Sequence, residues 1–248
     1  MKSFGLTDKG TVRLEDQDSF VLELCPAQNA LIAVVCDGMG GAKAGGLASR
    51  LCDRAFANAV YERLMQTSGK SLEVPSILLD ACSEANGVVY AYSRFGEEYA
   101  GMGTTLVAAV IRSNGNGHII NVGDSRAYLI SPLRGQIRQV TRDHSLVAEL
   151  VRFGAITPEE AKTHPQRNLI TRALGTEESV QADIFPVFLK RGELLLLCSD
   201  GLSNMVEEQE MLQASKSCRS PEALCGRLMD LALVRGASDN VTVVAIKR

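Results

Sequence analysis

The chain has 248 residues, a formal net charge of −3 and 46% hydrophobic residues, the profile of a globular protein with a large core and most simply one domain. The slightly acidic balance argues against nucleic-acid binding, which favours a basic excess, and gives no attraction to an anionic membrane surface. The longest apolar runs, 30–36 and 106–111, are too short to span a bilayer, and no signal-peptide segment follows Met1, so a soluble cytoplasmic protein is expected.

In chain order, residues 3–8 and 19–24 read as short strands separated by the charged turn at 13–18. Residues 30–36 form an apolar, β-branched run suited to a strand buried on both faces, which ends at Asp37-Gly38-Met39-Gly40-Gly41. An amphipathic helix follows over 44–65 with the stripe Leu47, Leu51, Ala55 and Ala59, broken at 67–71. Pro75 opens a second helix striped by Ile77, Ala81, Ala85, Val88 and Tyr92. Beyond Gly101 the apolar period changes to that of strands, at 104–111, 118–122, 126–131 and 136–141, with a hairpin signal at Asn114-Gly115-Asn116-Gly117. Residues 145–167 are more polar, with two short helical pieces, and read as an excursion beside the core. Strands at 180–187 and 193–198, helices at 207–216 and 221–235 and a last strand at 240–247 complete the chain. This order does not alternate as a βαβ series does; it favours an α+β fold with helices covering sheets packed face to face.

Five aspartates stand at strand ends: Asp18, Asp37, Asp124, Asp200 and Asp239. Each taken singly is equally well a turn residue bonding its own backbone. If they meet, their repulsion demands a counter-charge, and an all-oxygen donor set suits Mg²⁺ or Mn²⁺. The three histidines are unpaired in sequence, and no zinc-type spacing competes. Such a site points to a two-metal hydrolase of phosphate esters. Arg13, five positions before Asp18, is the best candidate to grip a phosphate, the alternative being a surface ion pair. Arg126 and Arg172 carry the same ambiguity with less to favour them. The seven cysteines include no C-x-x-C pair, which suits reduced thiols. Cys36 and Cys198, beside two of the aspartates, read as small core residues or as redox-sensitive thiols.

Together these residues resemble the metal-dependent PPM (type 2C) serine/threonine protein phosphatases in their compact bacterial form. The matching segments run from Val12-Arg13 through Gln17-Asp18, then Val35-Cys36-Asp37-Gly38-Met39-Gly40-Gly41 and Gly103-Thr104-Thr105-Leu106. Asn121-Val122-Gly123-Asp124-Ser125-Arg126, Thr141-Arg142-Asp143-His144-Ser145 and Ile170-Thr171-Arg172-Ala173-Leu174-Gly175 come next, before Cys198-Ser199-Asp200-Gly201-Leu202 and Ser238-Asp239-Asn240-Val241-Thr242. The resemblance implies an αββα sandwich of two antiparallel sheets flanked by helix pairs, forming a single catalytic domain over 1–248 with a flap at about 145–167. It implies metal-dependent hydrolysis of phosphoserine and phosphothreonine in proteins by a water activated at a dinuclear centre. Two Mn²⁺ or Mg²⁺ are expected, with Asp37 bridging, the Gly38 carbonyl at one metal, and Asp200 and Asp239 at the other. Asp124 with Asp200 matches a third, weaker metal position. Arg13 matches the phosphate-binding arginine and Asp18 an acid that orients water. The implied partners are phosphorylated proteins and an opposing Ser/Thr kinase, with the enzyme a monomer. Two alternatives stay open: a non-catalytic PPM-like binding domain, and a phosphatase dedicated to one anti-sigma-factor antagonist.

Three positions depart from the family pattern. Asp16 replaces the usual Asn, and Gln17 replaces a common Glu, which lowers the negative charge of that corner. Met39 stands where animal members have a histidine proposed as general acid; a thioether has no proton to give.

Overall fold

The computed structural model describes residues 1–41, 44–66 and 73–248. Its first half contains β1 (Lys2–Asp8), β2 (Asp18–Cys25), β3 (Ala30–Met39), α1 (Ala44–Gln66), α2 (Val74–Ser93), β4 (Gly103–Thr104), β5 (Leu106–Arg112) and β6 (Asn116–Val122). The second half follows with β7 (Arg126–Ser131), β8 (Gln136–Gln139), α3 (Leu146–Arg152), α4 (Pro158–Thr163), β9 (Asp183–Phe188) and β10 (Leu194–Cys198). It closes with α5 (Asp200–Ser203), α6 (Glu208–Ser217), α7 (Pro221–Val234) and β11 (Val241–Lys247).

The strands form two antiparallel sheets. One has the order β1-β11-β10-β7-β8; the other has the order β2-β3-β5-β6-β9, with β4 also on β3. Alternation along each strand sorts side chains into three apolar layers. Leu31, Ala33 and Val35 of β3 pack between the sheets with Val107, Leu195, Leu197, Val244 and Ile246. Their neighbours Ile32, Val34 and Cys36 face α1 and α2. Leu194, Leu196 and Cys198 face α5, α6 and α7. This is why 194–197 is four consecutive leucines: the strand is covered on both faces, and each fully buried leucine contributes about 1.5–3 kcal/mol. The result is the expected αββα sandwich.

The structure corrects several local expectations. The fully buried face of α1 runs through Ala48, Cys52 and Phe56, while Leu47, Leu51 and Ala55 lie at its margin. In α2 Val89 replaces Val88 in the core, and Tyr92 is 41% exposed. Strand β8 stops at Gln139 and β9 begins at Asp183, shorter than the apolar patterns 136–141 and 180–187. The break expected at 67–71 lies outside the described residues. Among the described residues, no helix is long and apolar enough to cross a membrane.

Candidate metal centre

The site lies at one edge of the sandwich, where two neighbouring strands of each sheet end together. Strand β3 does not stop at Asp37. It runs on to Met39, because Gly38 and Met39 pair with Thr104 and Gly103 in the same register that joins β3 to β5. Asp37 is therefore held inside a ladder. Its carbonyl accepts the Thr105 N–H at 2.9 Å and the Thr104 hydroxyl at 2.9 Å, and its N–H donates to Thr105 Oγ1 at 3.0 Å. Asp18, the first residue of β2, lies directly across from Asp37. Both share the alternation of the inter-sheet layer, so their side chains fall at its open rim. Gly38 is buried where β3 passes the start of α1; a Cβ there would sit 2.0 Å from the Gly45 carbonyl oxygen, which explains the glycine.

The other sheet supplies Asp200, at the first position of α5 just after β10, and Asp239, just before β11. The short helix α5 had no signal in the sequence. Asp124 lies in the crossover from β6 in one sheet to β7 in the other. Arg13 lies in the other crossover at this edge, residues 9–17. Its Nη2 donates to Asp239 Oδ2 at 2.8 Å, and with 51% of its side chain exposed it presents its remaining donors outward. The surface-ion-pair alternative is thus realised, but with a partner inside the site. Arg126 is otherwise engaged: Nε and Nη2 clasp Asp143 at 2.7–3.0 Å. Arg172 lies beside Asp183, with Nη1 at 3.3 Å from Oδ1.

The electrostatics bind these positions into one cluster. Burial, followed by the charges of Asp18, Asp200, Asp124 and Asp239, pushes the Asp37 carboxyl far above the usual carboxylate range. The other four predicted aspartates therefore all bear on Asp37. Burial pushes Asp18 up to about 7 against hydrogen bonds from Ser199 and Thr242, and Asp124 up to about 7 with Asp200 adding to it. Asp200 is raised by burial and by the charge of Asp239, while the neighbouring Asp37 and Arg126 pull it down.

Within this cluster two carboxylate oxygens, Asp18 Oδ1 and Asp200 Oδ1, are buried without a hydrogen-bond partner; Asp53 Oδ1 in α1 is a third, outside it. Unsatisfied buried groups of this kind each cost about 1–3 kcal/mol. Among the described residues the donors do not close into a compact cage of three. Orphaned carboxylate oxygens, mutual repulsion and an all-oxygen donor set nevertheless fit hard divalent cations.

Sequence reasoning left several supporting residues without roles. Ser199 donates to Asp18 Oδ2 at 2.7 Å and accepts the Thr242 N–H at 2.9 Å, tying the two sheets together at the site. Asn240, only 4% exposed, clamps the Arg13 loop: its Oδ1 accepts the Gln17 N–H at 2.9 Å, and its Nδ2 donates to the carbonyls of Lys9 and Glu15 at 3.0 and 2.9 Å. Both serine and asparagine lay within the quoted motifs, which was their one visible signal. Asp16 serves the same loop, accepting from the Thr7 hydroxyl at 2.7 Å and the Asp18 N–H at 3.1 Å. Cys36 and Cys198 are fully buried, and burial raises both thiols, Cys198 to about 12, so they behave as core residues.

Comparison with known proteins agrees with this architecture. The sequence profile described as protein phosphatase 2C matches residues 11–225. A serine/threonine phosphatase stp of Listeria monocytogenes is 40% identical over 243 residues, covering 98% of this chain and 94% of that one. The crystal structure of serine/threonine phosphatase Stp1 from Staphylococcus aureus superposes with a TM-score of 0.87 at 37% identity, over 99% of this chain and 94% of that chain. The catalytic domain of the serine/threonine protein phosphatase PstP, solved with two manganese ions, gives a TM-score of 0.78 at 32% identity, over 98% and 96% of the two chains. The chain belongs to the protein phosphatase 2C family.

Proposed function

We propose that the cluster around Asp37 holds two divalent cations, Mn²⁺ or Mg²⁺, and is where the chain removes phosphate from phosphoserine and phosphothreonine in proteins. The enzyme is a metal-dependent serine/threonine phosphatase of its family, and its substrates are phosphoproteins. The single observation that carries the site assignment is the convergence of four aspartates on Asp37. In this reading Asp37, the Gly38 carbonyl, Asp200 and Asp239 would hold the two cations. Asp124 with Asp200 would hold a third, weaker one. When bound, the cations offset the carboxylate charge and lower the pKa of water, so that a nucleophile is available at neutral pH.

The chain's own groups do the rest. Arg13 receives the substrate phosphate on the outward edge of its guanidinium while Asp239 anchors its inner edge. Asp18, held through Oδ2 by Ser199, keeps Oδ1 to orient the attacking water. The leaving serine or threonine oxygen draws its proton from a group other than residue 39. We read the chain as one catalytic domain, with 145–167 as a flap whose roots are joined by the Ser145–Ile170 bridge. The same reading makes it a cytoplasmic monomer opposing a Ser/Thr kinase.

A phosphopeptide release assay tests this reading. Turnover should need added Mn²⁺ or Mg²⁺, vanish on chelation and return on resupply. Phosphate release that persists in excess chelator would sink it.

A further inference from the structure

His144 belongs to the segment Thr141-Arg142-Asp143-His144-Ser145, for which the phosphatase reading supplies no role. It is 6% exposed and immediately precedes the flap. Its ring Nδ1 accepts the Gly123 N–H at 3.1 Å, and its own N–H donates to the Gly123 carbonyl at 3.0 Å. The pair forms a reciprocal clamp. Because Nδ1 is an acceptor, the neutral ring carries its proton on Nε2, which faces Asp183 Oδ2 at 3.4 Å. Burial and the Arg172 guanidinium, with Nη1 3.3 Å from Nε2, favour that neutral form. The His144 carbonyl in turn accepts the Thr171 N–H at 2.8 Å, one residue outside the Ser145–Ile170 bridge. One residue thus touches both roots of the flap, the edge strand β9 and the backbone before Asp124.

Gly123 needs such a clamp. Its φ is +101°, and a Cβ there would lie 2.6 Å from Thr105 Cγ2, so glycine is required. Glycine is also the residue least able to hold a turn by itself. The Gly123 carbonyl has a second donor in Asn121 Nδ2 at 3.2 Å, whereas its N–H has the His144 ring as its acceptor. The imidazole therefore orients the Val122–Gly123 peptide, one step before the Gly123–Asp124 peptide that the His144 N–H and Asn121 hold by its carbonyl.

We propose that His144 is a positioning residue for Asp124: its ring fixes the Val122–Gly123 peptide on which the turn into Asp124 is built, and couples the root of the flap to the weak metal position. This rests on the reading of Asp124 as a metal ligand. Groups that orient metal ligands typically alter affinity by about 10–100-fold, and an effect transmitted through one peptide belongs at the lower end.

The test is calorimetric titration of metal-stripped protein with Mn²⁺. His144→Asn keeps an acceptor close to the Nδ1 position. His144→Gln keeps a donor toward Asp183 but leaves the Gly123 N–H without its acceptor. His144→Ala removes both. The expected result is about tenfold weaker binding of the weakest Mn²⁺ in the Ala and Gln variants, with the tighter sites unmoved and the Asn variant within about twofold of the parent. Equal weakening in all three variants, weakening of every site together, or no change in His144→Ala would overturn the inference. Should the Ala variant fail to fold by circular dichroism, the Asn and Gln pair decides alone. Asp124→Asn in the same titration separates the two layers of argument. If it leaves all Mn²⁺ binding intact, the ligand reading of Asp124 falls and the inference with it. If it removes the weak site while His144→Ala does not weaken it, only the inference falls.

Discussion

Asp37 and Asp239 enter one site from opposite sheets, and the chain holds them in opposite ways. Asp37 sits within a continuous ladder, its backbone fixed by Thr104 and Thr105 and its carboxyl crowded by four others. Asp239 lies on a loop, its side chain 40% exposed, with its charge met by Arg13 at 2.8 Å. The first arrangement stores repulsion in a rigid frame, which a divalent cation relieves. The second is screened by water, where an ion pair contributes only about 0–1 kcal/mol and can be exchanged at little cost. The site thus has a stiff half suited to setting metal geometry and a soft half suited to receiving a phosphate.

The largest effects should come from neutralising one carboxylate on each side. Asp37→Asn and Asp239→Asn should each lower kcat by about 10²–10³-fold or more, since each removes a proposed metal ligand. They should part company in the metal-free protein at pH 8. Asp37→Asn spares the folded chain the cost of ionising or protonating this crowded carboxyl and should raise Tm by about 2–4 °C, the shift expected of about 1 kcal/mol in a chain of this size. Asp239→Asn should leave Tm nearly unchanged. Equal Tm shifts in differential scanning calorimetry would erase the distinction between the halves.

A smaller effect tests the soft half alone. Arg13→Ala should raise KM for a phosphopeptide about tenfold, corresponding to loss of one or two charge-assisted contacts, with kcat changing far less. Mn²⁺ binding should be unimpaired, because Arg13 pairs with a proposed ligand without being one. An unchanged KM would count against the phosphate role.

The mildest test is the pH dependence of stability in the stiff half. Asp18 and Asp124 titrate near 7 in the metal-free fold against a usual 3.8, so between those values the folded state binds more protons than the unfolded one. Their stabilising contribution is complete below about 4 and is lost as pH rises through about 7. Metal-free Tm should therefore fall from pH 5 to pH 8, and saturating Mn²⁺ should flatten that slope. A metal-free Tm that climbs over this range would contradict the electrostatic picture.

Much of this organisation was legible before any coordinates. Strands such as 194–198 announce themselves because both faces are apolar, and the aspartates stand out because they interrupt such runs. What misled was local appearance. Asp37 followed by glycines looks like a strand exit, yet the partner strand carries Gly103 and Thr104, and the ladder continues. The bulky leucines of α1 suggested a stripe, whereas the tight contact with the sheet is made by the smaller Ala48 and Cys52 beside Phe56. Ser199 and Asn240 act on residues far away in sequence, so no periodicity could have assigned their bonds. The aspartate types and positions were readable; the hydrogen bonds that aim them were not.

The position of β11 has a consequence for biosynthesis. This strand is inserted between β1 and β10, so the earliest strand made is separated from the rest of its sheet by nearly the latest. Until residue 247 has left the ribosome, β1 and β10 both present unpaired edges, a hazard for association with other chains. The loop carrying Arg13 also waits, since Asn240 is its clamp. A partly translated chain can have Asp37 and Asp18 in register while the proposed phosphate-binding loop still lacks its Asn240 clamp.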